Sequence, residues 1–130
     1  MLFQSIGKLK YFDNPYKLIV EVDNEIARYY RSFIPKYLKV NKPMYPAHIS
    51  TVRREIPNLE FWGKYQGKDI NFQYENIICN DEVYYWLGAF SKELQEIRTE
   101  LGLPITSWIT EPPDGLYNFH ITIGNTKNKM

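Results

Sequence analysis

Two stretches of the sequence, AHISTV at residues 47–52 and YNFHITIG at residues 117–124, contain the only two histidines of the chain. In each stretch the histidine is followed by isoleucine and then by a hydroxyl residue, at positions 48–50 and 120–122. Residues i and i+2 of a β-strand project from the same face. Each triplet therefore predicts an imidazole beside a hydroxyl, with the isoleucine on the opposite face.

The duplication of this pattern distinguishes it from an ordinary strand. Serine and threonine supply 11 of the 130 residues, so a hydroxyl two positions after both histidines is a coincidence on the order of one in a hundred. A single His-x-Ser or His-x-Thr stretch is usually no more than a half-buried strand. We therefore interpret His48, Ser50, His120 and Thr122 as the candidate catalytic residues.

Composition limits the kinds of protein and ligand that fit this sequence. The 130 residues have the length of one domain, and the net charge of +1 argues against binding of duplex DNA. No stretch approaches the roughly 18 apolar residues of a membrane span, so no membrane partner is expected. The single cysteine excludes an internal disulfide and is typical of the reducing cytoplasm. Aromatic residues, at 16%, exceed what such a core needs and leave rings for stacking on planar ligands.

Local patterns predict an alternation of strands and helices. Two helices are expected, one from Asp23 or Asn24 to about residue 39 and one from the N-cap Ser91 to Gly102, with Pro35 as a point where the first can kink or end early. Residues 1–15 have a mixed composition, and no strand is predicted there. The expected strands, from alternation and β-branched content, are 17–22, 47–52, 69–78, 82–90 and 117–124, with 106–109 as a loop or short strand.

The order of these elements repeats along the chain. Strand 17–22, a helix and strand 47–52 form one unit, and strand 82–90, a helix and strand 117–124 form another, each with its histidine on the strand after the helix. This predicts one α+β domain over residues 1–130. Its two pseudo-symmetric lobes, about 15–54 and 70–125, would have antiparallel sheets flanked by helices around a central cleft, an arrangement compatible with edge segments swapped between lobes.

Two His-x-Ser/Thr strands in a small α+β protein resemble the two-histidine (2H) phosphoesterases, which include RNA 2′,3′-cyclic phosphodiesterases and ligase-like enzymes. The entry NPYK at 14–17 and the run EPPDG at 111–115 look most like the phage anti-CBASS phosphodiesterases. That resemblance implies a viral immune-evasion hydrolase that degrades cyclic oligonucleotides such as cGAMP in the host cytoplasm. Threonine is common in the family where this chain has Ser50, which keeps the hydroxyl but lacks the methyl that stiffens the side chain.

The same residues suit phosphodiester cleavage on chemical grounds. Removing the proton of a 2′-hydroxyl and protonating a departing 5′-oxygen require a base and an acid, and histidine can serve as either near neutral pH. On this scheme Ser50 and Thr122 hold the phosphate, and either histidine can be the base. A catalytic zinc usually has three protein ligands, which two distant histidines and one cysteine do not suggest. We expect no metal and no cofactor.

Substrate recognition is assigned to aromatic and cationic residues outside the triplets. Tyr16 precedes the first expected strand and could stack on a base, although a tyrosine there is as often a lid on the core. Trp62 lies in the irregular segment 55–67, where it could close over a nucleobase. Arg53 or Arg54 could reach phosphate, but neighbours on a strand face opposite ways, so only one is expected to do so. Trp86 is assigned to the core.

Three functions remain open. The leading interpretation is a metal-independent phosphodiesterase that hydrolyses 3′–5′ bonds of cyclic di- or trinucleotide messengers. The alternative is an RNA-end enzyme that opens 2′,3′-cyclic phosphates or ligates, for which a more basic surface would be typical. The third is a non-catalytic nucleotide-binding module in which the histidines only complete strands.

Overall fold

Six strands close into one antiparallel barrel in the part of the chain that the structure, a computed structural model, describes: residues 2–107 and 117–127. Around the barrel the strands run in the order β1-β2-β3-β6-β5-β4. The strands are β1 Leu2–Phe12, β2 Lys17–Glu21, β3 His48–Arg53, β4 Asp69–Asn80, β5 Tyr84–Phe90 and β6 Phe119–Asn125. The helices are α1 Asn24–Arg31 and α2 Lys92–Glu100, with short 3₁₀ turns at Lys36–Leu38 and Leu59–Phe61.

The expected two-lobed α+β fold with a central cleft is wrong. The reason is β1, in the segment where no strand was predicted. It pairs with β2 through Lys8–Phe12 and with β4 through Leu2–Lys8, and these two pairings close the sheet on itself. The two strand–helix–strand units consequently contribute to one barrel, and the helices, of 8 and 9 residues, are too short to form layers over separate sheets.

The barrel interior holds the hydrophobic core. Alternation along each strand sends one set of side chains inward, and those of Val20, Ile49, Leu87 and Ile121 are fully buried. Side chains at the neighbouring positions project from the outer surface. The five expected strands are confirmed with end shifts of a few residues. The run 111–115, and residues 108–109 of the segment 106–109, lie outside the described residues.

The two helices begin where their caps predict. Asp23 accepts a hydrogen bond from the backbone N–H of Glu25, and Ser91 accepts one from Leu94. Helix α1 ends at Arg31 rather than near residue 39. Pro35 explains this early end, because proline has no backbone N–H and its ring disfavours helical geometry in the residue before it.

Asp81 organises the β4–β5 hairpin and gives its stability a pH dependence. Its Oδ1 accepts hydrogen bonds from the backbone N–H groups of Tyr84, at 2.7 Å, and Val83, at 2.8 Å. These bonds lower the pKa of Asp81 from its ordinary value of 3.8. The stabilisation is therefore present above the unfolded-state pKa and is lost as the pH falls through the lowered pKa of the folded protein.

We expect an Asp81→Asn variant, which cannot ionise, to be less stable than the wild type at pH 7. Urea denaturation at pH 7 and at pH 3 measures the difference in the free energy of unfolding between the two proteins. That difference should shrink at pH 3, because protonation removes the charge that the backbone N–H groups favour. A difference that does not change with pH would contradict this assignment.

Candidate active site

The register of β3 against β6 brings the two histidine triplets together. Ile49 pairs with Ile121 across the two antiparallel strands. One residue to either side, His48 consequently faces Thr122, and Ser50 faces His120. The hydroxyl of each triplet lies beside the imidazole of the other. We call these four residues the histidine cluster.

The histidine cluster lies on the outer face of the barrel. The two isoleucines are fully buried inside, whereas the four members of the cluster are half-buried. The expected position in a cleft between lobes is therefore wrong, because the six strands of the described residues close into one barrel around a core of packed side chains. The two triplets nevertheless lie side by side, as expected, with their histidines and hydroxyl residues on the outer surface.

Strand geometry sets the spacing within the cluster. Residues directly opposite on antiparallel strands have Cβ atoms roughly 4.5–5.5 Å apart, and diagonal neighbours are roughly 7–8 Å apart. His48 and His120 occupy one diagonal, and Ser50 and Thr122 occupy the other. A phosphate between the imidazoles could thus meet one ring on each side and a hydroxyl at each end.

The tautomer of His48 follows from its hydrogen bond. Its Nδ1 lies 2.8 Å from the carbonyl oxygen of Pro46. A carbonyl can only accept, so Nδ1 carries the hydrogen, and in the neutral ring the lone pair is on Nε2. This arrangement orients His48 as a proton acceptor through Nε2.

His120 has aromatic neighbours, in contrast to His48, whose ring bonds to a backbone carbonyl. The ring of Trp86, which faces Thr122 from β5, lies 6.5 Å from the His120 ring, centroid to centroid. Gly88 faces His120, and the ring of Tyr117 covers that glycine so closely that a Cβ there would be 2.3 Å from the ring. Trp86 is buried, as expected, but on the outer face beside the cluster rather than inside the barrel.

Strand β2 supplies charge on the other side of the cluster. Glu21 faces His48, and its carboxylate forms an ion pair with Lys10 at 2.9 Å. Farther along, Lys17 faces Arg53. The Lys17 ammonium lies 5.9 Å from the ring of Tyr45, which is 65% exposed and reaches this face from the segment before β3.

A bulge in β3 decides where Arg53 points. Leu18 pairs with Val52 and Ile19 pairs with Ser50, so Thr51 is an extra residue in β3. Simple alternation would turn Arg53 away from the face of Ser50. The bulge returns it to that face, exposed at the margin of the cluster.

Tyr16 and Trp62 are brought together, but in a separate cluster. Their rings lie 5.4 Å apart, and Tyr11 contacts the same indole at 5.0 Å. The indole Nε1 of Trp62 donates to Asp13 at 3.0 Å, in the turn between β1 and β2. These contacts give the two rings a structural role in closing that turn, and their assignment to substrate stays a prediction.

Tyr45 and Lys17 lie at the margin of the cluster and were missed by the sequence reasoning. Tyr45 lies in the run PMYP at residues 43–46, where flanking prolines restrict the backbone. A stiffened, exposed aromatic five residues before Ser50 was a usable signal. The position of Lys17 beside Arg53 follows only from the register of β2 against β3, which the sequence does not give.

Comparisons with protein-family models, with curated proteins and with solved structures find no match to this chain. Within residues 2–107 and 117–127, no helix is long and apolar enough to cross a membrane. The same residues contain no group of three or more His, Cys, Asp or Glu side chains placed to hold a metal ion.

Proposed function

We propose that the chain is a metal-independent phosphodiesterase of the two-histidine type, acting on 3′–5′ bonds of cyclic di- or oligonucleotide messengers. The observation that carries this proposal is the reciprocal pairing of the triplets, with His48 facing Thr122 and Ser50 facing His120. Two imidazoles and two hydroxyls on one face are the groups that metal-free phosphoryl transfer requires.

His48 acts as the base and His120 as the acid. The Nε2 of His48 takes the proton of the 2′-hydroxyl, and the 2′-oxygen bonds to phosphorus as the bond to the 5′-oxygen breaks. His120, in its protonated form, gives a proton to that departing oxygen. The product strand ends in a 2′,3′-cyclic phosphate. The hydrogen bond from His48 Nδ1 to Pro46 supports this division of roles.

The hydroxyls of Ser50 and Thr122 donate to the phosphoryl oxygens and hold the phosphate in line. Lys17 and Arg53 add positive charge at the margin of the cluster, and the exposed ring of Tyr45 can stack on a nucleobase. The resemblance to anti-CBASS phosphodiesterases supports a cyclic messenger of host antiphage signalling as the substrate. The site of action is then the host cytoplasm.

The proposal is tested by incubating the protein, with EDTA present, against cyclic di- and trinucleotides and an RNA with a 2′,3′-cyclic phosphate end. Mass spectrometry identifies the products. We expect cleavage of a cyclic nucleotide in EDTA to a linear product that ends in a 2′,3′-cyclic phosphate. Loss of all activity in EDTA would refute the metal-free mechanism. Cleavage of the RNA end alone would favour RNA-end processing, and no cleavage of any substrate would favour a binding module.

A further inference from the structure

A cavity of about 350 Å³ lies between α1 and the segment 42–47, which leads directly into β3 at His48. We call it the α1 pocket. Pro46 links the pocket to the cluster, because it lines the pocket and its carbonyl oxygen accepts the hydrogen bond of His48 Nδ1. The backbone N–H of Ala47, also in the wall, donates to Asn24 of α1 at 2.7 Å, which fixes the segment against the helix.

Three of the four charged side chains that line the α1 pocket are cationic. Arg28, Arg31 and Lys42 contribute three positive charges, and Glu25 contributes one negative charge that is engaged in an ion pair with Arg28. Arg31 and Lys42 therefore remain without an acidic partner in the described part of the chain. One guanidinium nitrogen of Arg31 donates to the carbonyl oxygen of Ile123 at 2.8 Å, which anchors this cation in place.

The charge of this region departs from that of the whole chain. Residues 26–54 contain seven arginines and lysines and no aspartate or glutamate, although the net charge of the chain is only +1. A second cavity of about 310 Å³ continues the basic wall, since Arg28 and Arg31 line both cavities and Lys36 and Lys39 line the second. Burial lowers the pKa of Arg31, because it disfavours the charged form; a bound anion would offset that cost.

We propose that the α1 pocket binds a second phosphate of an oligonucleotide substrate, next to the phosphate that is cleaved at the histidine cluster. The inference rests on the proposed function and specifies its substrate class as a nucleotide with at least two phosphates. Lys42 and Arg31 supply the charge-assisted hydrogen bonds. Tyr45 lines the pocket and also lies near Lys17 at the margin of the cluster. Its ring therefore lies between the proposed site of the second phosphate and the proposed site of the cleaved phosphate.

Binding of 2′-deoxy dinucleotides tests the pocket separately from turnover, because they lack the attacking hydroxyl. Isothermal titration calorimetry measures the affinity for three probes. The probe dApdA has one phosphate, whereas pdApdA and dApdAp have an additional phosphate at the 5′ or the 3′ end. We expect one of the two longer probes to bind about tenfold more tightly than dApdA, the size of one charge-assisted hydrogen bond. The Lys42→Glu variant should lose that gain.

The matched control is Lys92→Glu, which makes the same change of charge at an exposed position of α2 outside the α1 pocket. It should keep the gain in affinity. Equal affinity of all three probes for the wild type, or an equal loss of affinity in both variants, would overturn the phosphate subsite. Failure of the proposed function would give a different result. The additional phosphate would still increase affinity in a manner that depends on Lys42, but the protein would cleave no ribonucleotide.

Discussion

Replacing His120 by alanine is expected to lower the turnover of a cyclic dinucleotide by roughly 10²–10⁴-fold, the usual contribution of one general acid or base. His48→Ala should cost a similar factor, because it removes the Nε2 that accepts the 2′-hydroxyl proton. The two groups act on the same transition state, so the double variant should lose much less than the product of the two factors. Steady-state rates from product analysis by mass give all three values.

The hydroxyl variants and a surface variant provide the controls. Ser50→Ala and Thr122→Ala each remove one donor to the phosphoryl oxygens and should lower turnover by about 10²-fold. Glu96→Ala alters an exposed residue of α2 and should leave turnover unchanged. Persistence of wild-type turnover in both His48→Ala and His120→Ala would exclude the catalytic assignment, whereas an equal loss in Glu96→Ala would indicate damage to the fold.

The largest expected effect on stability comes from Arg98, which is fully buried beneath the end of β3. Its guanidinium forms two hydrogen bonds of 2.8 Å with the Glu55 carboxylate and donates to the carbonyl oxygens of Thr51 and Pro104, at 2.8 and 2.7 Å. Arg98→Met leaves a largely buried carboxylate unpaired. We expect the free energy of unfolding, measured with urea, to fall by about 3–5 kcal/mol.

Two further variants separate this ion pair from general damage to the core. The double variant Arg98→Met with Glu55→Met removes both charges and should recover part of the lost stability, because no unpaired carboxylate remains. Lys64→Met breaks the exposed ion pair with Glu100 and should change stability little, since solvent screens exposed pairs. A double variant no more stable than Arg98→Met would mean that the effect is one of packing.

Five of the six strands could be predicted because their alternation is local. Ile49 and Ile121 lie inside the barrel and the flanking histidines and hydroxyls lie outside, as a period of two requires. The missed strand, β1, also alternates between Gly7 and Leu9 facing inward and Lys8 and Lys10 facing outward. The exposed apolar side chains of Ile6 and Phe12 obscure this pattern, and the pairing with β4 joins residues that are distant in the sequence.

The sequence predicted the four members of the histidine cluster but neither its geometry nor the neighbouring Lys17 and Tyr45. The residue types and their spacing identify His48, Ser50, His120 and Thr122. Two further features depend on long-range contacts: the bulge at Thr51 that turns Arg53 to the outer face, and the approach of Tyr45 to Lys17. The hydrogen bond that His48 Nδ1 donates to the Pro46 carbonyl is local, but the residue types do not predict it.

The sequence by itself thus determined that the histidine and the hydroxyl residue of each triplet share a face of their strand, because residues i and i+2 of a regular strand project the same way. Only the tertiary structure decided that β1 joins β2 to β4, which replaces a cleft between two lobes by a closed barrel. It also decided that His48 faces Thr122 and not His120. Register and closure arise from pairing between strands far apart in sequence, and the free energy of that pairing is not contained in any local pattern.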